Sequence, residues 1–226
     1  MTAFSLETNS FMPLYHMLLD ARLFHEEISP ALAASWRQRS FAPCLTVREK
    51  LLSAAETFSS RYHLGGDEPL LVKIREDLPF DRNLWKLLAG EMFLFAASEI
   101  PELQIAPETL LCLLAPAYYR TTSVSREQFA PIQQALYGAR ELNFGGKFYR
   151  PEHAGYNDIA DVCRLADYLA EQRPDQWTPA DLQELKDVEA ADRAEELDFV
   201  REWYPALCDL YERARQRQQI VIIELL

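Results

Sequence analysis

Residues 84–100 constrain the fold more than any other stretch, because they form a long apolar segment with helical signals at both ends. Asp81 precedes it as a candidate N-cap, and Pro101 follows it. On a helical wheel, four large apolar side chains share one face: Leu84, Leu87, Leu88 and Phe95. Trp85 and Phe93 fall elsewhere, so most sides are apolar, and such a helix belongs in the middle of a fold. The sequence therefore predicts a central buried helix.

Glu91 is the most unusual residue of that helix, because it falls near the centre of the most apolar face. A buried carboxylate must be paired, hydrogen-bonded or protonated. One interpretation is functional, as a general acid/base or a carboxylate ligand. The other is structural, as an internal ion pair with an arginine or as part of a face that meets solvent in a groove. We favour the structural interpretation, because structural ion pairs perturb carboxylates as well.

Composition favours a mainly α fold. With 49% hydrophobic and 26% charged residues, the chain of 226 residues has the balance of an ordinary globular protein. The chain contains only 7 glycines and 13 prolines, and this low content argues against a β-sandwich or a disordered chain. We predict a single multi-helical domain over residues 1–226, with residues 118–124 as the best alternative boundary.

Apolar periodicity and capping signals predict further helices around the central one. These helices cover residues 10–24, 31–39, 47–62, 107–114, 131–137, 159–169 and 178–204. A capping box at Thr46 begins the third, and Thr178 with Pro179 begins the last.

Two short β elements complete the predicted fold. Alternating residues flank Gly145 and Gly146, a pattern typical of a hairpin with a primed turn, so a minor β-hairpin is predicted at about 141–150. Residues 220–226 are β-branched and apolar, which indicates a short C-terminal strand that pairs with the hairpin.

The negative charge is concentrated in the last third of the chain. The net charge is −12, of which residues 1–150 carry −2 and residues 151–226 carry −10. Such a field repels phosphate backbones, so we expect neither nucleic acid nor an anionic membrane as a partner. Residues 175–202 hold ten acidic and three basic side chains. A solvated helix face explains this run, and docking of a basic partner is the alternative.

Residues 153–161 form the most site-like loop, because polar and aromatic groups converge there before a helix. The candidate ligand-binding residues are Glu91, His153, Tyr156, Asn157, Asp158 and Asp161. The structural alternative is that Asn157 or Asp158 caps the helix and that Asp161 favours the positive end of its dipole.

No motif names a reaction, a metal or a cofactor. The sequence lacks nucleotide-binding glycine loops, Glu-x-x-His, His-Glu-x-x-His, Cys-x-x-Cys and Gly-x-Ser-x-Gly. His16, Asp20 and His25 are too few to make a metal site. We therefore predict no metal and no cofactor, and the scattered cysteines, read as free thiols, favour a reducing, cytoplasmic compartment.

Two functions follow as hypotheses. The first is a non-catalytic acidic binding protein, adaptor- or inhibitor-like, that docks a basic protein partner. The second is an enzyme or small-ligand binder with a pocket beside Glu91 or at residues 153–161. We prefer the first, because the charge is asymmetric and catalytic motifs are missing.

Overall fold

An antiparallel sheet lies between two layers of helices in the computed structural model of the chain, which describes residues 14–55, 78–117, 125–186 and 188–225. The prediction of a mainly α chain is confirmed. The sheet, however, has five strands and is larger than the predicted minor hairpin.

The strands are short apart from the first and the last. Those of the described residues are β1 (Leu14–Asp20), β2 (Ala97–Glu99), β3 (Arg140–Glu141), β4 (Asn143–Phe144), β5 (Lys147–Phe148), β6 (Ala154–Asn157) and β7 (Gln219–Leu225). The five-stranded sheet has the order β2-β1-β7-β6-β3, while β4 and β5 form a separate hairpin.

The helices fall between these strands in three groups, α1 to α3 after β1, α4 and α5 after β2, and α6 and α7 after β6. In the described residues they are α1 (Ser29–Gln38), α2 (Ala42–Ala55), α3 (Arg82–Ala96), α4 (Pro107–Leu114), α5 (Pro131–Tyr137), α6 (Ile159–Glu171) and α7 (Arg193–Gln216). A π-helical turn at Leu23–Ile28 leads into α1.

The pair formed by β1 and β7 builds the centre of the sheet. Its register runs from Leu14 opposite Leu225 to Asp20 opposite Gln219. Side chains alternate between the two faces, and both faces are covered by helices. One face packs against α1, α2 and α3 and contains Met17, Leu19, Ile220 and Ile222. The other packs against α4 to α7 and contains Leu18, Val221 and Ile223.

The predicted helix over residues 10–24 is wrong, because residues 14–20 form β1. A strand covered on both faces is apolar on consecutive residues, so its sequence lacks the alternation that marks a half-exposed strand. The predicted C-terminal strand is confirmed as β7, but it pairs with β1 and β6 and not with the hairpin.

A helix is confirmed at this position as α3, but the prediction that it forms the centre of the fold is wrong, because the five-stranded sheet lies in the middle and α3 covers one of its faces. The helix also ends at Ala96, and the last residues of the predicted segment form β2. Asp81 caps α3 by accepting hydrogen bonds from two backbone amides. The fully buried face consists of Trp85, Leu88, Ala89, Met92 and Phe93. Leu87, placed on the buried face by the sequence, is 45% exposed. The helical wheel identified the wrong buried face, because residues on several sides of this helix are equally apolar.

The acidic segment also differs from its prediction. Only a 3₁₀ turn, Pro179–Leu182, follows Thr178, and regular helix begins at Arg193. That helix continues through Pro205 to Gln216. Leu182, Leu185 and Leu197 form a small core with buried Cys112. Leu182 and Leu185, whose spacing suggested a regular helix, are therefore buried without one.

Several local predictions are confirmed. The helices at 131–137 and 107–114 have the predicted bounds, and Gly145 and Gly146 take φ of 64° and 86°, as a primed turn requires. The capping box at Thr46 is wrong, because α2 begins at Ala42 and the Thr46 hydroxyl donates to the Ala42 carbonyl. The last residues of the predicted 47–62 helix and the alternative boundary at 118–124 lie outside the described residues.

Candidate functional site

The carboxylates of the 153–161 loop serve the start of α6. Asp158 Oδ1 accepts from the Ile159 amide at 2.9 Å, and Asp161 Oδ2 accepts from the Asp158 amide at 3.2 Å. Asp161 also binds Arg140 Nε at 2.6 Å, and Asp158 binds His25 Nε2 at 3.2 Å. Both residues therefore have a structural role that accounts for their position.

Asn157 is fully buried and joins three elements. Its Oδ1 accepts from the Ala139 amide at 2.8 Å, while its Nδ2 donates to the Gln134 carbonyl at 2.9 Å and the Tyr211 hydroxyl at 2.8 Å. With these bonds Asn157 ties β6 to α5 and α7. Its amide therefore faces the core and not a ligand pocket.

Tyr156 and His153 differ in burial. The Tyr156 ring is half-buried against Phe24, with ring centroids 5.3 Å apart, and burial raises the pKa of its hydroxyl. His153 is exposed, and its backbone carbonyl accepts from the Leu225 amide at 2.7 Å. The structure thus brings the loop residues together at the end of β6, but their polar groups contact different neighbouring residues.

Glu91 forms an ion pair with an arginine, as the structural interpretation anticipated. Arg48 Nε on α2 lies 2.8 Å from Glu91 Oε2, and the two side chains are 11% and 13% exposed. The pair therefore links α2 to α3 at low solvent exposure.

A buried polar cluster that sequence reasoning missed lies at the end of β7. The Glu224 carboxylate, 6% exposed, accepts from the Tyr149 hydroxyl and from Arg150 Nη1, both at 2.9 Å. Burial raises the pKa of Glu224, while Arg150 and the Tyr149 hydrogen bond act in the opposite direction. The signal was present in the sequence: Glu224 interrupts an apolar β-branched run, as Glu91 interrupts an apolar helix.

One cavity lies at the beginning of α7. It has a volume of about 290 Å³ and is lined by Val188, Asp192, Glu195, Glu196 and Phe199. We call it the acidic groove. A second cavity, between α4 and α7, has about 10 Å³, room for one water. Neither cavity is lined by Glu91 or by residues 153–161.

The acidic groove combines uncompensated charge with apolar surface. In the part of the chain that the structure describes, no ion pair involves Asp192 or Glu195, whereas the Glu196 carboxylate accepts from the Thr109 hydroxyl. Phe199 is 37% exposed, and its ring centroid lies 6.4 Å from that of Trp203 on the next turn. The groove therefore presents carboxylates beside one exposed aromatic ring, that of Phe199, while Trp203 lines the cavity between α4 and α7.

Neither a metal-binding cluster nor a membrane-spanning helix is found in the described ranges. No three His, Cys, Asp or Glu side chains there are arranged to hold a metal ion. No helix of those ranges is both long and apolar enough to cross a membrane.

Comparison with known proteins adds a distant likeness. No protein-family model matches the chain, and no curated protein sequence matches it. The chain is similar to a solved structure from Escherichia coli described as a protein of unknown function, YfbM, with 11% sequence identity and a TM-score of 0.44. The match covers 94% of this chain and 99% of the other.

Proposed function

We propose that the chain is a non-catalytic binding protein that docks a basic protein partner in the acidic groove. The observation that carries this proposal is the geometry of the groove, in which Asp192 and Glu195 lie beside the exposed Phe199. A cluster of acids alone is usually a solvated surface. Carboxylates around a concave aromatic surface match a partner that presents lysine or arginine next to an apolar side chain.

The charge around the groove supports the same partner chemistry. Residues 175–202 carry a net charge of −7, and the groove lies within this run. Complementary charge accelerates association and disfavours acidic partners, while the buried aromatic contact supplies most of the affinity. Within this proposal the carboxylates select the partner, and Phe199 supplies the apolar contact that holds it.

The alternative, an enzyme or small-ligand binder, has less support from the geometry. Glu91 is paired with Arg48, and Asn157, Asp158 and Asp161 are engaged in packing and capping. The cavities described above lie elsewhere. These residues therefore have structural partners where a catalytic role would need a cavity.

A peptide titration tests the proposal. The probe is a fluorescent amphipathic helical peptide of lysine and leucine, and its control is the same peptide with glutamate in place of lysine. We expect anisotropy to show saturable binding of the lysine peptide, with an affinity that falls as salt is added. The glutamate peptide should not bind.

Matched variants separate the groove from the general negative charge. Asp192→Asn with Glu195→Gln removes two charges from the groove, and Glu171→Gln with Asp175→Asn removes two exposed charges elsewhere. We expect the first pair to weaken binding about tenfold, and Phe199→Ala to weaken it by a similar factor, with little effect of the second pair. Equal losses in both pairs, or binding that ignores salt, would contradict the proposal.

A further inference from the structure

Arg126 is a half-buried cation whose guanidinium binds four backbone carbonyls. Its Nη1 donates to the Tyr137 carbonyl and, at 2.9 Å, to the Gly138 carbonyl. Its Nη2 donates to the Pro151 carbonyl at 3.1 Å and to the Ala154 carbonyl at 2.9 Å. We call these four oxygens the carbonyl cradle. A guanidinium carries four Nη hydrogens, so the cradle supplies one acceptor for each of them.

The guanidinium is held by carbonyl dipoles and not by a carboxylate. Among the described residues, no ion pair involves Arg126, and its hydrogen bonds all go to backbone oxygens. Burial lowers the pKa of Arg126, and the charge of Glu141, exposed on β3, acts in the opposite direction. The guanidinium carbon also lies 5.7 Å from the Phe129 ring centroid. A charge removed from water and bound by dipoles alone therefore marks this junction.

Two glycines allow the backbone to come close around this charge. A Cβ at Gly155 would overlap Arg126 Nη1 and the Tyr137 carbonyl oxygen. A Cβ at Gly138 would overlap the Tyr156 backbone nitrogen, and Gly138 takes a φ of 84°. The end of α5 therefore lies directly against the start of β6, with the guanidinium beside the contact.

The carbonyl cradle is unfavourable without a cation. Tyr137 and Gly138 lie at the end of α5, where helix carbonyls lack donors within the helix and form the negative end of its dipole. The Pro151 and Ala154 carbonyls face the same group from the loop before β6. A partly buried carbonyl without a donor costs free energy, and four convergent oxygens repel one another. A planar cation with paired N–H donors satisfies all four, whereas an ammonium has only three hydrogens.

We propose that the carbonyl cradle is a guanidinium-binding site that Arg126 fills, and that its occupancy holds residues 151–154 against the end of α5. The contacts of Arg126 bridge 11 to 28 residues of the chain, so the cation joins segments that local signals do not bring together. Without the guanidinium this junction opens locally, while the pairing of β6 with β7 persists. The proposal is independent of the acidic groove and of the function proposed for it.

Chemical rescue of Arg126→Ala in the full chain tests the proposal. The variant keeps the four carbonyls, and guanidinium chloride at about 20 mM, far below denaturing concentrations, supplies the missing cation. We expect hydrogen exchange in residues 134–139 and 152–157 to become about tenfold faster in the variant, and guanidinium to reverse most of this change. Tetramethylammonium chloride carries the same charge without N–H donors, so it should not reverse the change. Equal effects of the two salts, or no effect of either, overturn the proposal.

Two controls separate a local junction from a general loss of stability. Helix α3 packs on the opposite face of the sheet, and its exchange should change less than that of the junction. Equal acceleration in both regions overturns the local role. The matched variant Arg22→Ala removes an arginine whose side chain is 84% exposed, and its exchange should equal that of the wild type with either salt.

A folding measurement covers the case in which Arg126→Ala is unfolded in plain buffer. Circular dichroism should then show folding that depends on guanidinium and not on tetramethylammonium, because a ligand that binds the native state stabilises it. A variant that stays unfolded in both salts overturns the proposal.

Discussion

His16 places a titratable group inside the sheet, and its burial predicts a loss of stability in mild acid. The side chain is fully buried on β1, and its Nε2 donates to the Ala135 carbonyl at 3.1 Å, which also accepts from the Tyr211 hydroxyl. In the described structure its Nδ1 has no hydrogen-bond partner. Burial lowers the pKa of His16 from 6.5 to about 4, and the Ala135 hydrogen bond acts in the opposite direction.

The sign and size of the effect follow from linkage. The unfolded chain binds this proton near pH 6.5, while the native chain binds it only near pH 4, so stability falls as the pH falls between these values. The full difference corresponds to about 3.4 kcal/mol in the free energy of unfolding, of which about 2 kcal/mol is lost by pH 5.

His16→Gln isolates this contribution. Glutamine keeps a donor for the Ala135 carbonyl but does not titrate. We expect urea unfolding, followed by tryptophan fluorescence, to show a stability difference between wild type and variant that changes by about 2 kcal/mol between pH 7.5 and pH 5, in favour of the variant at the lower pH. The same change at His153 is the matched control, because it replaces a histidine whose side chain stays exposed in the folded chain. A difference that is constant across this pH range would refute the reasoning.

Three further predictions concern stability, each read from urea or thermal unfolding. Arg48→Ala should cost about 2–3 kcal/mol because it leaves Glu91 partly buried without this partner, and adding Glu91→Leu should recover part of the loss; no recovery would contradict the ion-pair interpretation. Asp158→Ala should cost about 1 kcal/mol through the lost α6 cap, while Asp158→Asn should retain most of the stability; equal losses in the two would argue against capping. Gly138→Ala should be severely destabilising, because φ is 84° and a Cβ would lie 2.4 Å from the Tyr156 nitrogen, and Gly146→Ala, with φ of 86° but open space, should cost only about 1 kcal/mol. Similar losses at the two glycines would exclude the steric explanation.

The sequence predicts those features of the fold that depend on local chemistry. Asp81 and Asp158 cap helices as expected, and the adjacent glycines of the hairpin adopt the predicted turn, since a few neighbouring residues decide each feature. It does not predict β1, because burial on both faces removes the alternation on which strand recognition depends. Tertiary packing determines the secondary structure of that segment.

The candidate site residues show the same contrast between local chemistry, which the sequence predicts, and contacts with distant residues, which it does not. The polar loop was located correctly as a helix start, but the roles of its side chains depend on partners far along the chain, such as Tyr211 for Asn157. The partner of Glu91 lies 43 residues away on another helix, beyond the reach of any spacing rule. The acidic groove needs a concave surface as well as charge, and sequence gives only the charge.

The pairing of β1 with β7 has a consequence for how the protein is made. The middle of the sheet joins residues 14–20 to residues 219–225, so the residues between these two strands must be synthesised before the central pair can form. Until then β1 lacks its principal neighbour, and an apolar strand with unpaired backbone groups is prone to aggregation during synthesis. We therefore expect folding of this protein to be slow for its helix content, because β7 must join β1 to complete the layer on which both sets of helices rest.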